Sequence, residues 1–82
     1  MASTYILYSS TLDSYYIGHS ESTPEERLKA HLRNHSGYTG KAKDWQIVWS
    51  ETFISKSEAY KREREIKKWK SRRAIENLIR KE

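Results

Sequence analysis

TYILYSSTLDSYYIG, residues 4–18, is the stretch from which the fold follows. Thr4–Tyr8 and Tyr15–Gly18 are short runs rich in Tyr and Ile, residue types that fit a pleated, half-buried surface. The polar segment between them predicts a turn, so the stretch is expected to form a two-stranded hairpin. Because side chains alternate between faces along a strand, an even number of loop residues puts Tyr5 and Tyr16 on the same face. Gly18 leaves the backbone beside these two phenols open to close approach.

Beyond the hairpin, Thr23-Pro24-Glu25-Glu26 combines a capping hydroxyl, a proline for the first helical position and a glutamate able to reach back to the cap. A helix over 24–35 follows, with Leu28, Leu32 and His35 as its inward stripe and Ser36-Gly37 as its stop. Residues 37–44 contain two glycines and two lysines without apolar periodicity, which predicts an exposed loop where Lys41 and Lys43 can meet phosphate. Trp45–Phe53 is expected to be a third strand, with Ile47, Trp49 and Phe53 on one face and Val48 on the other, so helices should cover both sides. Ser55-Lys56-Ser57-Glu58 repeats the capping pattern and opens a helix to about Lys70; Ser71 caps a last helix with Ala74, Ile75, Leu78 and Ile79 buried. The fold class expected is α/β: a small three-stranded antiparallel sheet flanked by helices, in the order β-β-α-β-α-α.

Eighty-two residues are enough for one domain, expected over 1–82, and too few to divide a core in two. Ten aromatics offset an apolar fraction of only 35%. The absence of cysteine excludes a disulfide framework and a thiolate zinc site. No apolar run approaches the length of a membrane span, and no export signal opens the chain, so a cytoplasmic protein without membrane attachment is expected.

The net charge of +5 is concentrated in one part of the chain. Residues 1–55 carry five Lys/Arg against six Asp/Glu, whereas residues 56–82 carry eleven against five. A positive field gathered on the C-terminal third suits a polyanionic partner, nucleic acid before membrane; a solvated helix face accounts for it equally well.

Several side chains stand out chemically. At 100° per residue with Ala59 at zero, Ile66 falls at about 340°, Trp69 at about 280° and Tyr60 at about 100°, and Glu63, at about 40°, lies inside that apolar arc. A carboxylate placed there needs a partner: Lys67 or Lys70 in a salt bridge, or a bound cation. On the first helix Arg27 and His31 are four residues apart and stack on one flank. A guanidinium there can hold a phosphate and an imidazole can accept a proton or orient water. Ordinary pairing of Arg27 with Glu26 or Glu51, and a boundary position for His31, are the plainer alternatives.

Taken together, these residues resemble the GIY-YIG nuclease superfamily, and most closely its short, stand-alone bacterial branch. The resemblance rests on Thr4-Tyr5-Ile6-Leu7, then Tyr15-Tyr16-Ile17-Gly18, Glu26-Arg27-Leu28 with His31, Lys43-Asp44-Trp45, and Ser57-Glu58-Ala59 with Glu63 and Ile66-Lys67, in order and nearly throughout the chain. Ser3-Thr4-Tyr5 stands where the family name has Gly-Ile-Tyr. The resemblance implies Tyr5, Tyr16, Arg27 and His31 as catalytic residues and Glu63 as the ligand of Mg²⁺ or Mn²⁺. Gly18 and His19 are further candidates, as is Asn77 for the family's late asparagine. It implies a nucleic-acid substrate, DNA before RNA, contacted by Lys41, Lys43, Lys67 and Lys70, and hydrolysis in which Tyr16, helped by Tyr5 or His31, deprotonates the attacking water. Tyr5, Tyr16, Arg27, His31 and Glu63 are expected to line one concave site, with Glu63 on the same side of the sheet as Tyr16; the opposite placement would end the enzyme reading. A non-catalytic nucleic-acid-binding module on the same fold is the alternative.

Overall fold

A computed structural model of the chain describes residues 1–21, 23–33 and 42–81, with the side chains of residues 30–33 left aside. The elements are β1 (Ala2–Ser9), β2 (Ser14–Ser20), α1 (Pro24–Arg33), β3 (Gln46–Phe53), α2 (Lys56–Trp69) and α3 (Arg72–Arg80). The order β-β-α-β-α-α and the three-stranded antiparallel sheet are those the sequence predicts. Strand order is β2-β1-β3, so β1 is central and β2 is an edge.

Alternation along β1 splits the core in two. Tyr5 and Leu7 pack with Ala42 and Trp45, joined by Tyr16, Ile47 and Leu28 of α1. Ile6 packs on the other side with Ile17, Trp49 and Ile66 of α2, joined by Trp69 and by Ile75, Leu78 and Ile79 of α3. The sheet is therefore sandwiched, α1 on one face and α2 with α3 on the other. This explains why β1 is buried on both faces from Ala2 to Leu7.

Pairing of β1 with β3 corrects one expectation. Ile6 opposes Trp49 but Leu7 opposes Ile47, so Val48 is an extra residue in a β-bulge. The bulge shifts the alternation, and Ile47 packs with the α1-side cluster while Val48 and Trp49 pack with the α2-side cluster. Ile47 and Trp49 thus lie on opposite faces.

The caps follow the sequence. Thr23 Oγ1 accepts from Glu26 N at 3.2 Å. Ser55 Oγ accepts from Glu58 N at 3.2 Å and donates to Glu58 Oε1 at 3.3 Å. Ser71 Oγ accepts from Ala74 N at 3.2 Å. Between α2 and α3 the chain turns at Lys70, whose φ of 46° is left-handed. The predicted end of the first helix at residues 34–37, including His35 and Gly37, lies outside the described residues.

Two carboxylates fasten the hairpin turn. Asp44 accepts from Ser9 Oγ at 2.6 Å and from Ser10 Oγ, Thr11 N and Thr11 Oγ1 at 2.9 Å each. These donors hold its carboxyl well below the usual carboxylate range. Asp13 accepts from Tyr8 Oη at 2.7 Å and is paired with Arg72 at the start of α3, tying that helix to the turn. No helix among the described residues is long and apolar enough to cross a membrane.

Candidate active site

In the hairpin Tyr5 opposes Gly18 and Leu7 opposes Tyr16, so both phenols lie on the α1 face. The Tyr5 ring runs across Gly18: a Cβ there would lie 2.7 Å from the phenol oxygen and 2.8 Å from Cζ. Only glycine admits this approach, and it carries the Tyr5 hydroxyl over β2 toward the open edge of the sheet. Burial pushes the Tyr5 phenol up from its usual range, and the Arg27 guanidinium, which hydrogen-bonds to it, offsets this only in part. Tyr5 therefore keeps its proton at neutral pH and serves as a hydrogen-bonding group. Tyr16 is half-buried, its ring edge-on to Trp45 with centroids 6.4 Å apart.

Arg27, in the first turns of α1, reaches the same edge. Its Nε is buried and has no hydrogen-bond partner among the described residues. Glu51, a candidate partner from the sequence, is held by Arg62 at 3.2 Å instead. Arg27 lines an open cleft of about 460 Å³ with His19, Ser20 and Glu21 of the β2 end and Lys56 at the start of α2. Lys56 Nζ lies 3.7 Å from Glu21 Oε1 across it.

Glu63 comes to this edge from the other side. Thr4, on the α2 face, donates to the Ala59 carbonyl at 2.6 Å and so fixes α2 on the sheet one turn before Glu63. Thr4 opposes His19, and His19 Nδ1 lies 2.5 Å from Glu63 Oε1. Glu63 Oε2 lies 2.8 Å from Lys67 Nζ, the salt bridge considered from the sequence. Burial alone would raise the Glu63 carboxyl, but Lys67 and His19 together bring it below its usual range. An ionised carboxylate only accepts, so His19 Nδ1 carries the hydrogen.

The expectation that Glu63 shares a face with Tyr16 is therefore overturned. The two belong to opposite layers, and the sheet itself intervenes. What connects the layers is the edge strand: Tyr5 touches Arg27, Arg27 and His19 line one cleft, and His19 touches Glu63, whose charge the Tyr5 phenol also feels. The site wraps β2 and does not occupy one concave face. The layers communicate because the Tyr5 ring crosses Gly18 on the edge strand, which brings its phenol within reach of the Glu63 charge.

The other sequence candidates divide. Lys67 is at the site through Glu63. Lys43 is exposed next to Asp44, at the hairpin-turn end of the sheet, away from the cleft. Lys70 is the left-handed cap of α2, with no ion pair among the described residues. Asn77 is exposed on α3 and lines a separate cavity of about 360 Å³ with Arg62, Trp69 and Lys81, so it is not brought to Glu63. The His31 side chain and Lys41 lie outside the described residues. Lys56, Ser20 and Glu21 were not singled out in the sequence; Ser20 and Glu21 directly follow the Gly18-His19 pair, which was the available signal.

A metal fits this donor set only as a hard ion that keeps most of its water. Among the described residues no group of three or more His, Cys, Asp or Glu could hold one. Mg²⁺ ordinarily takes one or two carboxylates, waters and substrate phosphate oxygens. Glu63 is ionised, and each of its oxygens retains a lone pair beyond those facing His19 and Lys67.

A family model of the GIY-YIG catalytic domain matches residues 1–77. Comparison with curated proteins and with solved structures finds no match.

Proposed function

The chain belongs to the GIY-YIG nuclease superfamily, and on that premise we propose that it is a Mg²⁺- or Mn²⁺-dependent endonuclease hydrolysing phosphodiester bonds in nucleic acid, DNA before RNA. The observation that carries this reading is the buried Nε–H of Arg27, without a partner among the described residues, in a cleft whose far wall, through His19, holds an ionised Glu63. A buried donor without an acceptor is unfavourable until an anion arrives, and a phosphodiester oxygen is an acceptor of the right charge.

In the reaction the water oxygen joins phosphorus, the bond from phosphorus to the leaving oxygen breaks, and the leaving oxygen gains a proton. Arg27 holds a non-bridging oxygen and balances the charge that grows there. Tyr5, protonated and anchored between Gly18 and Arg27, keeps the guanidinium aimed. Tyr16 takes the proton of the attacking water, the role its match to the family motif implies. Glu63 is the residue to hold the metal, which when bound supplies positive charge at the phosphoryl and leaving oxygens.

One observation favours a non-catalytic binding module on the same fold: both Glu63 oxygens already face basic partners. The experiment that separates the readings is incubation with plasmid and branched oligonucleotides under Mg²⁺, Mn²⁺ or EDTA, beside Glu63→Ala. Cleavage that needs the metal and is lost in the variant is the expected outcome. Binding by the parent protein without cleavage under any metal leaves the binding module.

A further inference from the structure

The outward side of α2 differs from the rest of that helix. Lys56, Arg62 and Lys67 each meet a carboxylate, from Glu21, from Glu51 and Glu65, and from Glu63. Lys61, Arg64 and Lys68 are exposed, and none has an ion pair among the described residues. They recur at helical spacing on one side and surround a shallow hollow of about 350 Å³ together with Tyr60 and Glu65. Glu65, the acid at its margin, is engaged by Arg62. Like charges three and four residues apart repel in the free protein, so this side is built at some loss of helix stability.

One ring contact links the hollow to the cleft. Tyr60 is 44% exposed, unusual for a large aromatic, and its ring centroid is 5.1 Å from that of His19, which lines the cleft. The Arg64 guanidinium lies 5.7 Å from the centroid of the same Tyr60 ring. His19, Tyr60 and Arg64 thus form a path from the cleft to the outer side of α2, aromatic first and cationic after. An aromatic face beside a row of cations is the chemistry that receives a nucleic-acid backbone with its sugars and bases.

We propose that the outer side of α2 is a docking track for nucleic acid: the strand leaves the cleft over Tyr60 and its phosphates lie against Lys61, Arg64 and Lys68. This rests on the nucleic-acid reading of the cleft and adds to it the direction in which the substrate runs. Arg73 and Arg80 of α3 and its C-cap Lys81 have no ion pair among the described residues, are off this path and provide a charge-matched control.

The test is fluorescence anisotropy with labelled duplex and single-stranded oligonucleotides in EDTA across a NaCl series. It compares the parent protein with K61Q/R64Q/K68Q, R73Q/R80Q/K81Q and Tyr60→Ala. The α2 triple variant is expected to reduce the salt slope by about 0.7–0.9 for each cation removed. Tyr60→Ala is expected to weaken binding by about 5-fold or more with the slope unchanged. The α3 triple variant should stay within about 2-fold of the parent, since phosphate contacts alone set the slope. Equal loss in the two triple variants, or none in the α2 triple, overturns the proposal. Melting curves accompany each variant; should the α2 triple not fold, Arg64→Gln and Lys68→Gln, each shedding its own share of the slope, decide in its place. A parent that cleaves while the α2 triple binds normally refutes the track alone. A parent that never cleaves yet binds through α2 refutes the hydrolase and upholds the track.

Discussion

At the scale of single residues, the site depends on contacts that leave little room. Gly18→Ala would set a Cβ 2.7 Å from the Tyr5 oxygen, and Tyr5 is 1% exposed, so the ring cannot simply swing away. The expected result is a loss of about 1–3 kcal/mol in denaturant unfolding. In a Tyr5→Ala background the same change should cost less than it does in the parent, because the clash is gone. Additive effects in such a cycle would mean that Tyr5 does not lie over Gly18. The sequence named Tyr5, Tyr16, Arg27 and Glu63, and it named Gly18 and His19 as further candidates. What it did not disclose was how they meet. The His19 contact with Glu63 joins residues 44 positions apart on different elements, and no local period encodes it.

At the scale of elements, caps and turn chemistry are local, which is why Thr23, Ser55 and Ser71 were legible in the sequence and the elements follow them. The bulge at Val48 was not, because Trp45–Phe53 offers apolar residues to both faces and the alternation alone does not show where it shifts. The layer holding Glu63 was missed for a related reason: helix periodicity tells which side of α2 is buried, but not on which face of the sheet it is buried. The bond that fixes α2 is the one from Thr4 to the Ala59 carbonyl, both residues fully buried. Thr4→Val keeps the shape and removes the donor, and an expected loss of about 0.5–1.5 kcal/mol should appear in chemical denaturation. The cleavage proposed for the site should fall with it, since Glu63 lies one turn further along the same helix. Unchanged stability would show that packing alone sets the helix.

At the scale of the whole molecule, the hairpin, the 42–45 segment and α3 are joined by Asp44 and Asp13. The Asp44 carboxyl is held below its ordinary value of about 3.9 by the Ser9, Ser10 and Thr11 donors. A depressed folded value means that its contribution is fully present above the unfolded pKa and is lost as pH falls through the folded one. Acidification below about pH 4 should therefore lower the melting temperature of the parent. Asp44→Asn should melt lower at neutral pH and respond less to acid; an acid response identical to the parent's would remove Asp44 from that account.

In the function proposed above, a site wrapped around the β2 edge hydrolyses nucleic acid with Glu63 as its metal-holding carboxylate. Glu63→Gln, followed by cleavage and thermal melting on the same preparation, puts that role to the test. Lys67 is 53% exposed and can turn to water, and a glutamine can still accept from His19, so the stability change should stay within about 1 kcal/mol. Cleavage in Mg²⁺ should disappear while the melting temperature holds. A parent protein that cleaves nothing, together with a large fall in melting temperature in the variant, would show that Glu63 is a structural partner of Lys67 and His19 and would contradict the account.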